Sequence, residues 1–107
     1  MIEKIKEQWI KALKSGKYTK CRGFLHSEND FCVIGVLCDL YLKSKGEEWR
    51  QESDFSEFSI HGSSFRPNVE ILVWANLGQD NLNDLFNLND RNKKTFNQMA
   101  DWIEETL

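Results

Sequence analysis

The sequence predicts a mainly helical α+β domain with about four helices and one or two short antiparallel β-hairpins. With 107 residues, of which 40% are hydrophobic, the chain has the length and composition of one globular domain. Apolar residues recur at helical spacing near both ends of the chain, and a nearly continuous apolar segment covers residues 31–42. We therefore expect a single compact domain over residues 1–107, without a linker or an internal repeat.

The first helix is predicted by apolar residues that share one helical face: Ile2, Ile5, Trp9, Ile10 and Leu13. Ser15-Gly16 is expected to end this helix, after two lysines in its last turn that suit the helix dipole. Residues 18–26 are weakly strand-like. The polar residues 27–30 are expected to form a turn and to supply the cap of the next helix.

The apolar segment 31–42 is expected to form a central helix. Periodicity alone does not separate a buried helix from a buried strand here, but the length of the segment and the stop at 43–46 favour the helix. Within it, Gly35 would allow a neighbouring element to approach closely. Residues 49–60 are expected to contain one short hairpin.

The C-terminal third is expected to contain two helices separated by a polar stretch. Pro67 would open the first of these helices, which would run through Asn76 and stop at Gly78. The Asn- and Asp-rich stretch 80–92 is predicted to be a loop or a short helix. Thr95 and Gln98 have the spacing of a capping box. They would open a last helix whose buried stripe is Phe96, Met99, Ala100, Ile103 and Leu107.

The net charge of −3 conceals an asymmetry along the chain. Residues 1–25 carry a net charge of +5, whereas the remaining residues carry −8. An acidic protein is a poor candidate for non-specific binding of duplex DNA, which depends on neutralising phosphates. The basic end could still bind one phosphate group or an acidic partner. The candidate phosphate-binding residues are Lys14, Lys17, Lys20 and Arg22.

A metal site is not expected from the three cysteines and two histidines: Cys21, Cys32, Cys38, His26 and His61. No close Cys-x-x-Cys pair is present, as a zinc site would require. On a helix, Cys32 and Cys38 would face different directions, which also forbids a disulfide between them. The Asn- and Asp-rich stretch does not match a calcium-binding loop. We therefore predict neither a metal nor a cofactor.

A small papain-like cysteine hydrolase is one alternative that the sequence leaves open. Cys32 would lie near a helix N-terminus, where the dipole lowers the pKa of a thiol, and His61 follows on a predicted strand end. However, no oxyanion donor can be nominated, and the motifs of common hydrolases, metalloproteases and nucleotide-binding loops are absent. We therefore expect no catalytic residues and a protein that is not an enzyme.

The sequence predicts a cytoplasmic location. An odd number of cysteines without regular spacing is typical of a reducing compartment. The first residues mix charges and contain no apolar block of the signal-peptide type. No apolar run approaches the roughly 20 residues that a membrane helix needs.

Aromatic and acidic residues predict a surface for a macromolecular partner. Trp49 lies in a charged stretch and Trp102 lies off the apolar stripe of the last helix, so both are expected to anchor a partner or a second copy of the chain. A basic partner, such as a nucleic-acid-handling complex, would be recognised by charge complementarity. The acidic residues expected to contact it are Glu47, Glu48, Glu52, Asp54 and Glu57.

Three segments together resemble a family of small proteins encoded by bacteriophages and prophages. They are WIKALKSGKY at 9–18, FCVIGVLCDL at 31–40, and the closing segment 88–104, which begins Leu-Asn-Asp. The second is similar to the family's fCCLGVLCDL signature, with Val33 where many relatives have a second cysteine. Lys17-Tyr18 before Gly23, and Pro67 before Trp-Ala-Asn-Leu at 74–77, also match. Residues 46–65 lie outside the resemblance.

The resemblance implies a phage-type accessory protein in a bacterial cytoplasm, and it assigns no activity and no functional residue. We accordingly expect a non-enzymatic protein that binds and inhibits a host macromolecule, for example a component of a bacterial defence system. A second hypothesis is a protein that sequesters a nucleotide signal at the basic end. The third is the cysteine hydrolase centred on Cys32 and His61.

Overall fold

The computed structural model describes residues 1–51 and 58–107, and these contain five α-helices and five short β-strands. The helices are α1 (Glu3–Lys14), α2 (Val33–Lys45), α3 (Val69–Ala75), α4 (Gln79–Asp90) and α5 (Phe96–Thr106). The strands are β1 (Thr19–Lys20), β2 (His26–Ser27), β3 (Asp30–Phe31), β4 (Arg50–Gln51) and β5 (Phe58–Ser59). The α+β class is as predicted, with one helix more than expected.

The additional helix is α4, which replaces the loop or short helix predicted over 80–92. It has 12 residues and buries Leu82, Leu85 and Asn89 along one face. Asn and Asp have modest helix propensity, so the composition of this stretch favoured a loop. The buried face packs against α2, and this tertiary contact outweighs the weak local preference.

The strands form two small sheets. In the first, of order β1-β3-β2, β2 and β3 pair as an antiparallel hairpin, whereas β1 joins β3 in parallel. The parallel pair was not predicted. In the second sheet β4 pairs with β5 in the antiparallel register Arg50↔Ser59 and Gln51↔Phe58. This pairing confirms the hairpin predicted within 49–60.

The core lies where α1, α2 and α5 meet. Helix α1 packs against both of the others, and its Trp9 is fully buried. The indole Nε1 of Trp9 donates a hydrogen bond to the carbonyl oxygen of Val33 at 3.0 Å, which joins α1 to the start of α2. The predicted stripe residues are buried at Ile5, Leu13, Ile34, Leu37, Phe96 and Ile103.

The predicted role of Gly35 is confirmed. A Cβ atom at this position would lie 1.8 Å from the carbonyl oxygen of Leu25. The backbone of residue 25 therefore lies directly against α2, where its carbonyl also accepts a hydrogen bond from Cys32 N at 3.1 Å. The absence of a side chain at Gly35 makes this contact between loop and helix possible.

One predicted helix start is confirmed, and the other was placed two residues too early. Gln98 N donates to Thr95 Oγ1 and Thr95 N donates to Gln98 Oε1, so the capping box of α5 is confirmed. Helix α3 begins at Val69, two residues after Pro67, and it ends at Ala75 before a left-handed Asn76. None of the helices in residues 1–51 and 58–107 combines the length and apolar character needed to cross a membrane.

Candidate functional site

Trp49 is half-buried and fastens the segment after α2 to that helix. Its indole Nε1 donates to Asp39 Oδ1 at 3.0 Å, and the other carboxylate oxygen of Asp39 accepts from Tyr18 Oη at 2.5 Å and Lys43 Nζ at 2.9 Å. Burial acts to raise the pKa of Asp39, but the hydrogen bonds from Tyr18, Lys43 and Trp49 outweigh it and lower the pKa. Trp49 thus has a structural contact inside the chain.

The ring of His26 belongs to an aromatic cluster beside this network. It lies between the rings of Phe31 and Phe58, at centroid distances of 3.9 and 4.1 Å, and the Trp49 ring meets it edge-on. The Nδ1 atom of His26 is bonded to the carbonyl oxygen of Asp30 at 2.8 Å. Burial lowers the pKa of His26 and so favours the neutral ring near pH 7.

Trp102, the other proposed interface aromatic, is also half-buried. Like Trp49, it packs against the core cluster and leaves part of its ring at the surface. Neither tryptophan is among the large apolar side chains that the structure describes as exposed. The structure thus assigns both rings a packing role at the edge of the core.

The four candidate phosphate-binding residues are divided between different surroundings. Lys14 pairs with Asp101 on α5 at 2.9 Å. The Nζ atom of Lys20 instead donates to the carbonyl oxygens of Asn89 and Lys94, at and beyond the C-terminus of α4. Lys17 and Arg22 are exposed. Lys14 therefore lies beside α5, whereas Lys20 lies beside the end of α4.

Of the five acidic candidates, Glu47 and Glu48 lie in the described part of the chain and are exposed. Glu47 Oε1 is 2.9 Å from Nε2 of His61, whose Nδ1 is bonded to Glu70 on α3. These two carboxylates raise the pKa of His61, chiefly through the hydrogen bond with Glu70. The other three residues of the predicted acidic face lie outside the described residues; they are Glu52, Asp54 and Glu57.

The expectation that the helix dipole lowers the pKa of Cys32 is wrong. Burial dominates and raises the pKa of the Cys32 thiol to about 12, while its Sγ accepts a hydrogen bond from Gly35 N at 3.2 Å. A thiol with such a pKa stays protonated near neutral pH and is a poor nucleophile. His61, its proposed catalytic partner, is bonded to Glu47 and Glu70 instead.

The other two thiols are also unreactive in character. Burial raises the pKa of Cys21 to about 11 and raises that of Cys38 well above its ordinary value. All three cysteines are reduced. Residues 1–51 and 58–107 hold no group of three or more His, Cys, Asp or Glu side chains arranged to bind a metal ion.

A groove that sequence reasoning missed lies between three segments that are distant in the chain. Its walls carry the rings of Phe24, Phe65 and Phe86, and it has a cavity volume of about 270 Å³. We call it the aromatic groove. Only the adjacency of an aromatic and an arginine in a polar loop, at 65–66, hints at it in the sequence. Its lining residues are Gly23, Phe24, Cys32, Phe65, Arg66, Phe86, Asn87, Asp90 and Arg91.

A second feature that the sequence did not indicate is an exposed apolar strip on α3. Val69 and Val73, one turn apart, expose 74% and 73% of their surface. Ile2 is 45% exposed, and its backbone N–H donates to the carbonyl oxygen of Ala75 at the end of α3, at 2.9 Å. We call Val69 and Val73 the valine face.

Comparison with protein families gives one match, which spans residues 1–107 and is described as a domain of unknown function, DUF8296. The chain belongs to the DUF8296 family. The match covers both the aromatic groove and the valine face, so both surfaces lie within the DUF8296 domain. It agrees with the expected membership of a family without an assigned activity. Searches of curated proteins and of solved structures give no match.

Proposed function

We propose that this DUF8296 protein is a non-catalytic accessory protein that acts by binding another protein through the valine face. The observation that carries the proposal is the exposure of Val69 and Val73 at i and i+4 of one helix. Apolar side chains that cluster on a surface are typical of protein–protein contacts, and this spacing is typical of a helix that fits an apolar groove.

The valine face is not needed to hold α3 in place. Helix α3 has seven residues, and those that it buries are Ile71 and Ala75. The valines project away from this buried side. A pair of exposed β-branched residues adds nothing to the stability of the helix itself, because valine has a lower helix propensity than alanine. Contact with a partner would bury them.

The charges beside the valine face favour a partner with a basic rim. Glu70 follows Val69 on α3. Glu47 lies beside Glu70, because both carboxylates contact His61. Glu48 adds a further exposed carboxylate in the same segment. Charge complementarity of this kind accelerates association and excludes acidic competitors. A protein that handles nucleic acid has a surface of the required sign.

In its concrete form, the proposal is that this protein has a phage-type origin and inhibits a component of a host defence system. Both parts rest on the resemblance of the 31–40 segment and on the acidic rim, and they name a bacterial nucleic-acid-handling protein as the target. The candidate residues Glu47 and Glu48 would take part through their charge. The proposal needs no catalytic group in this chain, which agrees with the raised pKa values of the three thiols.

Site-specific photocross-linking tests the proposal. Val73→p-benzoylphenylalanine places an apolar cross-linker on the valine face, and Asn97→p-benzoylphenylalanine places it on an exposed position of α5 as the matched control. In a bacterial lysate we expect one heterologous adduct from position 73 and none from position 97. Excess unlabelled wild-type protein should remove this adduct, whereas the Val69→Ser/Val73→Ser protein should not.

Three outcomes of this experiment would overturn the proposal. They are the lack of any adduct at position 73, an adduct with the mass of two copies of this chain, and equal competition by the wild-type and double-serine proteins. The serine variant is a valid competitor because both positions are exposed, so its free energy of unfolding should change by less than about 0.5 kcal/mol.

A further inference from the structure

The aromatic groove is assembled from three separate parts of the chain. Phe24 comes from the loop between β1 and β2, Phe65 and Arg66 from the segment before α3, and Phe86 from α4. The first two walls are joined by a hydrogen bond from Leu25 N to Ser64 O at 2.9 Å. The groove is therefore a product of the tertiary fold, with its walls fixed to each other.

Of the three rings in the groove, that of Phe65 is the most exposed. Phe24 and Phe65 have centroids 5.2 Å apart with an interplanar angle of 30°, and Phe65 is 60% exposed. The guanidinium of Arg66 lies 5.2 Å from the centroid of the Phe86 ring, and its Nη1 donates to Asn83 Oδ1 at 3.4 Å. An exposed phenyl ring beside a guanidinium plane forms a stacking platform for planar groups.

The charges around these rings favour an anionic ligand. Among the residues that the structure describes, the groove is lined by Arg66 and Arg91 and by one carboxylate, that of Asp90, which accepts a hydrogen bond from Asn89 Nδ2 at 2.7 Å. A further cation lies near this carboxylate, because Lys20 is within electrostatic range of Asp90. This local excess of positive charge contrasts with the net charge of −3 of the whole chain.

We propose that the aromatic groove binds a nucleotide unit, with its base stacked on Phe65 and its phosphate held by Arg91 and Lys20. A nucleobase is planar and a phosphate is anionic, so one nucleotide unit meets both requirements of the groove. The cavity of about 270 Å³ is close to the lower limit of ligand pockets, roughly 300 Å³, and suits one such unit.

The unit can come from a free nucleotide or from a single-stranded nucleic acid, since both present the same base and phosphate. Duplex DNA does not offer it, because its bases are paired and stacked inside the helix. This site shares Lys20 with the basic end that the sequence suggested, but it does not include Lys14, which pairs with Asp101. It is also separate from the valine face.

Fluorescence anisotropy tests the proposal with a fluorescein-labelled ten-nucleotide oligouridylate as the probe and unlabelled AMP as the competitor. We expect the wild-type protein to bind the probe and Phe65→Ala to raise its Kd about tenfold, which is the effect of losing one stacked base. Arg91→Gln should raise the Kd and lower the slope of log Kd against log salt by about one. Val73→Ser and Lys4→Gln, which change exposed residues outside the groove lining, are the controls and should leave the Kd unchanged.

AMP displacing the probe at concentrations near its own Kd would support a free nucleotide as the ligand. A failure of AMP to compete, with tight binding of the probe, would support a single-stranded nucleic acid. The proposal is overturned if neither probe nor AMP binds, or if Phe65→Ala and Val73→Ser change the Kd equally. Cross-linking at position 73 tests the valine face, whereas fluorescence anisotropy tests the aromatic groove. The failure of one proposal is therefore distinguishable from the failure of the other.

Discussion

A buried polar side chain adjoins the aromatic groove, whereas an exposed histidine lies beside the valine face. Asn89 is fully buried and donates to the groove residue Asp90; its Oδ1 accepts from Val33 N at 3.1 Å and its Nδ2 donates to Cys21 O at 3.0 Å. Beside the valine face, the exposed His61 contacts Glu47 and Glu70. Each residue joins two other segments of the chain.

Solvent makes these two junctions energetically different. Removing Asn89 would leave a backbone N–H and a carbonyl without partners in a dry interior, and each such group costs about 1–3 kcal/mol. Water can replace the partners of His61 and reduces what its ion pairs contribute. We infer that the junction at Asn89 costs more free energy to break than the junction at His61.

The largest effect is expected from Gly35→Ala, which tests how rigidly the groove is supported. The new Cβ would lie 1.8 Å from Leu25 O, in a loop fixed by backbone hydrogen bonds to Cys32 and Ser64, so neither side can yield easily. We expect a loss of about 3 kcal/mol in the free energy of unfolding, measured by chemical denaturation.

Gly78→Ala is the matched control for this substitution. Gly78 has a φ of −75°, and the nearest atom to an added Cβ is 4.0 Å away. Its effect should stay within about 1 kcal/mol, the usual range for an N-cap position. If the two variants were equally stable, the close contact of the loop with α2 would not be what supports the groove.

An intermediate effect is expected from Asn89→Ala. The variant removes both hydrogen bonds that Asn89 makes to Val33 and Cys21, and we expect it to lower the free energy of unfolding by about 2–3 kcal/mol. Asn87→Ala, on the exposed side of the same helix, should change it by less than about 0.5 kcal/mol. Equal values for the two variants would show that the buried hydrogen bonds of Asn89 do not stabilise the fold.

The smallest effect, and one that depends on pH, is expected from His61→Gln. Because Glu70 and Glu47 raise the folded-state pKa of His61, protonation stabilises the folded state fully below the unfolded pKa of 6.5. This contribution is lost as the pH rises through the raised folded-state pKa. The stability difference between wild type and His61→Gln should therefore shrink from about pH 5.5 to pH 8.5.

Denaturation curves of both proteins across this pH range provide the measurement. Burial lowers the pKa of His26, which makes the folded state less stable as the pH falls, but this group is present in both proteins and cancels in the difference. High salt should reduce the difference, since the ion pairs of His61 are exposed. A difference that is constant with pH would show that His61 does not hold α3 through its charge.

The sequence correctly predicted local features where the spacing or type of the residues agrees with their burial in the structure. Trp9 and Leu13 on one face of α1, the capping box at Thr95, and the close approach at Gly35 all follow from spacing or from residue type. For 80–92 the sequence left a loop and a short helix open, and the structure has the 12-residue helix α4. Asn and Asp favour turns locally, and the contact of this stretch with α2 cannot be seen in the sequence.

By itself, the sequence determined the α+β class, the positions of α1, α2 and α5, and the absence of familiar catalytic motifs, because these depend on local patterns. The tertiary structure alone decided that Phe24, Phe65 and Phe86 share one groove and that burial keeps the Cys32 thiol protonated. The groove and the protonated thiol both depend on segments that are distant in the chain packing against each other and excluding water. Neighbours in space, rather than in sequence, set the surfaces through which we propose that this protein acts.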